Sequence, residues 1–217
     1  RQSLFPDQKG LFEILTQTSG SLHIMQRRAV NNPNRMLRPT EDLKTDHVLI
    51  AKGLRVLVAI AKWVEEGEGF PVEDCASTLR FLREWVIAVH MEKEDGIIAP
   101  AIAMRSDEDT AAIVGEVMRL HEEISELAHA LVLFWEPTGE LTESERQGFG
   151  ETVRALVTRI ERRQQLEEGD LFPACNTHVP ADDQLDWLGQ FQQLETDRSS
   201  RAFWTGCIGK LATRWLN

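Results

Sequence analysis

The sequence predicts an all-α protein: an antiparallel up-down-up-down four-helix bundle with an N-terminal arm and one or two extra C-terminal helices. Three observations favour this fold. Apolar residues recur every three or four positions over long stretches, the pattern of amphipathic helices. The 8 prolines and 14 glycines gather between those stretches, where connections are expected. With 42% hydrophobic residues among 217, the chain can bury one sizeable core.

The chain divides into three predicted parts. Residues 1–40 are expected to form an arm, a helix plus linker, because a short apolar cluster precedes turn-forming Asn-Asn-Pro-Asn and Arg-Pro-Thr. Residues 41–178 are expected to form the four-helix bundle. Residues 179–217 contain two shorter amphipathic segments, which we expect to pack on the bundle or to form a homodimer surface.

Turn and capping signals separate the four bundle helices. The first helix begins near Leu43 and ends at a glycine turn, and Pro71 opens the second. Ser106 with an acidic residue three positions later is a weakened capping box for the third helix. Thr142 and Glu145 form a standard capping box for the fourth. These signals divide residues 41–178 into four helices.

Charge and composition narrow the classes of partner. The formal net charge of -11, without any block of Lys and Arg, argues against nucleic acid and against an anionic membrane surface. No apolar run is long enough to span a bilayer, so we expect a soluble, cytoplasmic protein. Cys75, Cys175 and Cys207 lie far apart and are expected to be reduced thiols. Small ligands, cations and proteins remain as possible binding partners.

An internal repeat indicates where a site lies. Glu94-Asp-Gly-Ile-Ile-Ala-Pro-Ala aligns with Glu167-Glu-Gly-Asp-Leu-Phe-Pro-Ala at an offset of 73 residues, and His47-x-x-Ile aligns with His121-x-x-Ile at an offset of 74. Each half is therefore a helical hairpin with a histidine early in its first helix and a glutamate near the end of its second. In an up-down-up-down bundle these four positions share one end. His90 adds another donor, one turn before Glu94.

Histidine and glutamate donors at one end of a bundle indicate a metal site. A single histidine on an apolar stripe is more often a hydrogen-bonded core residue, but unpaired buried carboxylates are costly and repel each other without a cation. Imidazole and carboxylate without thiolate suit iron, manganese or zinc. We therefore predict a metal site, with a non-haem iron pair as the favoured occupant.

These motifs, in this order, resemble the hemerythrin-like (HHE cation-binding) family over residues 41–178. The resemblance implies an all-α bundle holding a di-iron centre that is bridged by oxo or carboxylate groups, and it implies binding of O₂, NO or a related oxidant. The implied terminal ligands include three histidines and the implied bridges are two glutamates: His47, His90 and His121, with Glu94 and Glu167.

The chain departs from the family pattern at Arg163, where the repeat places a fourth-helix histidine. Arginine stays protonated and cannot donate a lone pair to a metal. We expect Arg163 to pair with Glu167, one turn away, or with Glu94 across the bundle. Three outcomes remain open: two irons with one open position, a single metal, or a guanidinium replacing one cation. Gln164 could supply a weak oxygen ligand if the fourth helix is rotated.

Two functional hypotheses follow from the sequence. The first is a non-haem iron protein for carriage, sensing, iron handling or repair of nitrosative damage, as the family resemblance implies. An open coordination position would favour oxidase or peroxidase-like chemistry, with Arg163 steering an anionic species. The second is a metal-depleted or single-metal helical bundle that acts as an interaction module, in which Arg163 and the glutamates form a buried charge cluster.

Overall fold

The computed structural model describes residues 38–105, 107–134 and 141–217, and every regular element among them is a helix. The predicted all-α helical bundle is therefore confirmed for this part of the chain. Nearly all of the arm predicted over residues 1–40 lies outside the described residues. The described residues form six helical stretches.

Four of the six stretches are uninterrupted α-helices, and α2 and α4 contain wider π-helical turns. The bounds are as follows: α1, Pro39–Glu65; α2, Val72–Phe81, the π turns Leu82–Met91 and Lys93–Ile98, then Ala99–Ala103; α3, Glu108–Phe134; α4, Glu143–Leu166, the π turn Glu167–Leu171, then Phe172–His178; α5, Ala181–Asp197; and α6, Arg201–Trp215. The α1–α2 turn contains two glycines with positive φ, Gly67 and Gly69, a conformation that favours glycine.

Local sequence explains where two of the helices begin. The Thr142 side chain accepts a hydrogen bond from the Glu145 N–H, and the Glu145 side chain accepts one from the Thr142 N–H. This reciprocal pair confirms the predicted capping box of α4. Ser106, predicted to cap α3, lies outside the described residues. Asp107 supplies that cap, because its carboxylate accepts the N–H of Thr110 at 2.9 Å.

The four long helices pack in a ring, each against the next, with α4 returning to α1. The C-terminal helix α6 packs along α1 and contributes Trp204 and Ile208 to the main apolar core. A second apolar cluster lies under α5 and includes Leu43, Phe172 and Phe191. Along α1, His47 falls between Leu43 of the second cluster and Ile50 of the first. The polar residues of the bundle thus form a layer between two apolar clusters.

The two halves of the repeat contain the same π turn. The N–H of Ala99 donates to the carbonyl of Glu94, and the N–H of Phe172 donates to the carbonyl of Glu167, each five residues back instead of four. A proline follows each turn by one residue, at Pro100 and at the corresponding position of α4. A proline ring removes one helical hydrogen bond and crowds the carbonyl four residues earlier, which a wider turn accommodates. Glu167 therefore begins the π turn of α4, and Glu94 lies in the second π turn of α2.

We expect Gly53→Ala to destabilise the fold and Gly115→Ala to stabilise it. A methyl group on Gly53 would overlap the Phe81 ring in the core, with ring atom Cδ1 only 2.9 Å away, and overpacking of this kind costs about 1–3 kcal/mol. Nothing lies within 4 Å of a methyl group on Gly115, so alanine there should add about 0.5–1 kcal/mol of helix stability. Urea unfolding of both variants measures the difference; equal changes would contradict the tight helix contact.

Candidate metal centre

Four of the residues predicted as ligands meet in the polar layer. One donor atom each from His47, His90, Glu94 and Glu167 lies within 4.8 Å of all the others. His47 is on α1, His90 and Glu94 are on α2, and Glu167 is on α4. All four side chains are buried, and the two glutamates are 0% exposed. The repeat therefore brings together two histidines and two carboxylates in a water-poor position.

Each glutamate directs its two oxygens to different partners. Oε2 of Glu94 and Oε1 of Glu167 accept hydrogen bonds from the Arg163 guanidinium, at 3.0 and 2.5 Å. The other two oxygens face Nε2 of His47, at 3.7 Å for Glu94 and 3.3 Å for Glu167. Those two oxygens and His47 Nε2 are buried and have no hydrogen-bond partner. The glutamates thus link the Arg163 side of the layer to the His47 side.

Three unpartnered buried atoms at one point fit the donor set of a cation. Buried polar atoms are nearly always hydrogen-bonded, so several orphans facing each other require an explanation. Donors bound to one cation at about 2.1 Å lie about 3.0–3.5 Å apart. The His47–Glu167 separation of 3.3 Å agrees, and the His47–Glu94 separation of 3.7 Å is slightly wider. His90 belongs to the same four-residue group, and its Nε2 lies 3.6 Å from Oε2 of Glu94, the oxygen that also pairs with Arg163.

Arg163 contacts the two glutamates on the side opposite to His47. Besides Glu94 and Glu167 it donates to Asp95 Oδ1 at 2.8 Å and to the Val117 carbonyl at 3.4 Å. Its side chain is among the largest that are fully buried in the described structure. The guanidinium therefore pairs with both glutamates at once and also binds a third carboxylate, that of Asp95.

His121 does not join the four-residue group. Its Nδ1 contacts Oδ2 of Asp95, the same carboxylate that Arg163 binds. The side chain is about a quarter exposed, at 24%. His121 therefore lies on the Arg163 side, separated from the glutamates by Asp95. Nε2 of Gln164, the other candidate on α4, is buried without a hydrogen-bond partner.

Two further carboxylates accept hydrogen bonds from the Nδ1 atoms of His47 and His90. Oε1 of Glu168 lies 2.6 Å from Nδ1 of His47, and Oδ2 of Asp46 lies 3.3 Å from Nδ1 of His90. Because a carboxylate can only accept, each Nδ1 is the protonated donor. Nδ1 protonation leaves Nε2 to face the group, the tautomer that a metal-binding imidazole needs. The ring of Phe172 also stacks on His47, with centroids 5.7 Å apart.

Electrostatics favour a positive charge at this position. Burial opposes the charged form of His47, but Glu167, Glu168 and Glu94 outweigh it and hold the His47 pKa well above its usual range. Burial and the charge of Glu167 raise the pKa of Glu94. Burial also opposes ionisation of Glu167, yet Arg163 and His47 hold its pKa below the ordinary value. A cation bound here would take the place of the proton on His47.

Comparison with known proteins agrees with this geometry. The model of the hemerythrin HHE cation binding domain matches residues 38–175, which is more than half of the chain. The chain belongs to the hemerythrin HHE cation-binding family. The family resemblance predicted from the motifs is thus confirmed. Neither the comparison with curated proteins nor that with solved structures gives a match. Within the described residues, no helix has the length and apolar character needed to cross a bilayer.

Sequence reasoning considered Glu168 as a residue that could support a ligand, but it did not identify Asp46 and Asp95 as supports of this hemerythrin-like site. Asp95 and Asp46 each follow or precede a predicted ligand by one position, and Glu168 follows Glu167 directly. An adjacent position on a helix points about 100° away, so these residues look like the flanks of the inward stripe. The available signal was an acidic residue beside one predicted ligand on each of α1, α2 and α4.

We expect Arg163→Met to destabilise the metal-free protein by about 3–5 kcal/mol, since it leaves buried carboxylates without a partner. The matched control is Arg159→Met, one turn earlier on α4. Arg159 is 42% exposed and pairs with Glu123 at 2.7 Å, so its loss should cost at most about 1 kcal/mol. Urea unfolding in the presence of a chelator measures both. Similar losses for the two variants would contradict a tightly paired Arg163.

Proposed function

We propose that this chain is an iron-binding hemerythrin-like protein that holds one iron at His47, His90, Glu94 and Glu167. We further propose that the iron binds O₂, NO or a related oxidant. The observation that carries the proposal is the division of the glutamate oxygens: one oxygen of each pairs with Arg163, and the other is buried without a hydrogen-bond partner beside His47. Manganese and zinc fit the same donors and are the alternatives that metal analysis separates.

The buried charges favour one divalent cation over two. Glu94, Glu167 and Asp95 carry three negative charges, and Arg163 carries one positive charge. Two negative charges are therefore left unbalanced, and a single divalent cation bound by neutral histidines would balance them. A second cation would add unbalanced positive charge beside the guanidinium in a region of low effective dielectric, where like charges repel strongly. Arg163 therefore substitutes for the second cation of a two-metal centre.

The surrounding residues determine what the centre can bind. When present, an iron with two imidazole and two carboxylate ligands supplies binding and redox chemistry for small oxygen or nitrogen oxides. Apolar clusters on both sides of the layer restrict the space to small ligands. Glu168 and Asp46 orient the histidines, and Phe172 excludes water from one face of His47. Arg163 directs its guanidinium at carboxylates, which supports charge balance as its role more than steering of a substrate.

The second hypothesis, a metal-free interaction module, rests on the same arginine. Arg163 and a protonated His47 together offset two of the three buried carboxylates without any metal. However, this arrangement leaves His47 Nε2, Glu94 Oε1 and Glu167 Oε2 without hydrogen bonds. Unsatisfied buried polar groups cost about 1–3 kcal/mol each. This cost favours the hypothesis of a metal-binding protein over that of a metal-free module.

We expect about one iron per chain in protein purified without chelators from iron-supplemented cells, because the donor set provides one cation site. Elemental analysis measures the stoichiometry. Exposure of the iron(II)-loaded protein to NO or O₂ should change its visible absorption. His90→Ala should lose most of the metal, whereas His129→Ala, an exposed histidine on α3, should keep it. Wild-type protein that takes up no iron, manganese or zinc would support the interaction module instead.

We expect Arg163→His to raise the metal content towards about two per chain, because it removes the buried cation and adds an imidazole beside two bridging carboxylates. Arg163→Gln is the matched control, since it removes the same charge without adding a ring nitrogen. Metal content and near-ultraviolet absorption of both variants are compared with wild type. An unchanged stoichiometry in the histidine variant would contradict the substitution of Arg163 for a second cation.

A further inference from the structure

A second buried charge cluster lies directly behind His90, with Lys93 at its centre. The Lys93 side chain is 0% exposed, and its Nζ donates to Asp46 at 2.9 Å, Asp42 at 3.3 Å and Glu195 at 2.7 Å. Its Nζ also lies 5.3 Å from the ring centroids of Trp85 and Phe191. Lysine is rarely buried this completely unless it is paired. The three carboxylates therefore fix this ammonium group in place.

Arg201 closes the cluster from the C-terminal helices. Its Nε donates to Oδ1 of Asp46 at 2.5 Å, and its Nη2 donates to Oδ2 of Asp42 at 2.6 Å. Its backbone N–H donates to Oε2 of Glu195 at 3.2 Å. Glu195 belongs to α5 and Arg201 is the first residue of α6. The hairpin formed by α5 and α6 thus supplies one acid and one base to the cluster.

Asp46 connects this cluster to the proposed metal centre. Its Oδ2 faces both Lys93 Nζ and the Nδ1 of His90, and its Oδ1 is held by Arg201. The hydrogen bonds to the Asp46 carboxylate therefore come from groups on α2 and α6. The orientation of Asp46 decides which nitrogen of His90 is protonated and how the ring is turned. A single residue thus separates the hairpin from a metal ligand.

We propose that Arg201 and Glu195 of the α5–α6 hairpin are positioning residues of the metal centre: through Asp46 and Lys93 they fix the ring orientation and tautomer of His90. This inference rests on the proposed function. It assigns the C-terminal helices a role in metal binding in addition to covering the bundle. Asp42, Asp46 and Glu195 also have the spacing of a cation site, but Lys93 and Arg201 already supply two positive charges there.

The hairpin has a separate attachment that does not involve the site. Arg214, near the end of α6, donates to both oxygens of Asp74 at 2.5 and 2.7 Å, and Trp215 Nε1 donates to the same carboxylate at 2.8 Å. Trp204 and Ile208 are buried in the main core. Docking of α6 therefore has several contributions besides Arg201. This separation allows docking and positioning to be tested independently.

The test compares Arg201→Gln with Arg214→Gln by titration with Co²⁺, whose visible absorption reports coordination geometry. Loss of a group that supports a metal-binding histidine lowers metal affinity about 10–100-fold, so we expect a decrease of this size, with altered absorption bands, for Arg201→Gln. Arg201→Lys, which keeps the charge, should recover part of the affinity. Arg214→Gln should lower the melting temperature of the metal-free protein and leave Co²⁺ affinity and bands as in wild type.

Glu195→Gln provides a second route if Arg201→Gln fails to fold, because at a partly exposed position it removes the negative charge and one of the two oxygens that accept from Lys93 and the Arg201 N–H. A smaller but measurable loss of Co²⁺ affinity is expected for it. Circular dichroism verifies the fold of every variant. The positioning role is wrong if wild type binds Co²⁺ and both Arg201→Gln and Glu195→Gln bind it equally well with unchanged absorption bands. It is also wrong if Arg214→Gln weakens Co²⁺ binding as much as Arg201→Gln does. A wild-type protein without any metal affinity would instead overturn the proposed function itself.

Discussion

The bridging of Glu94 and Glu167 by Arg163 is the constraint on which the rest of the centre depends. Two fully buried carboxylates cannot remain ionised side by side without positive charge between them. Arg163 supplies that charge from within α4, and its fork geometry matches two acceptors at once. With one oxygen of each glutamate occupied in this way, the remaining pair of oxygens faces His47. The arginine therefore both stabilises the carboxylates and directs them towards one cation position.

The sequence allowed the bundle and half of this arrangement to be predicted. Helical periodicity and capping residues are local properties, and they correctly indicated the helices and the start of α4. The repeat placed His47, Glu94 and Glu167 at one end because each half must fold alike. The same symmetry could not show that Asp95 intervenes between His121 and the glutamates. That contact depends on the rotation of α3 about its axis, which a stripe of apolar residues defines only to within about one residue.

The π turns show how a backbone detail escapes prediction from side-chain patterns. The turns that begin at Glu94 and Glu167 each add one residue to a helical turn just before a proline. Residues after such a turn are shifted by about 100° relative to a regular α-helix. Periodicity counted across the turn therefore misplaces every later residue by one position. The repeat alignment still paired the two glutamates because it compares residue identities, which do not depend on the helical period.

The ion pairs behind His90 join parts of the chain that are distant in sequence. Asp46 and Arg201 approach only because α6 packs along α1, and Lys93 is enclosed only after α5 has covered α2. Burying this many charges is expensive, and the ion pairs among them fix the relative positions of the groups they join. A histidine that binds a metal requires such a fixed position, because its ring must present one nitrogen in one direction. The C-terminal hairpin meets this requirement by restricting Asp46 from the side opposite to the metal centre.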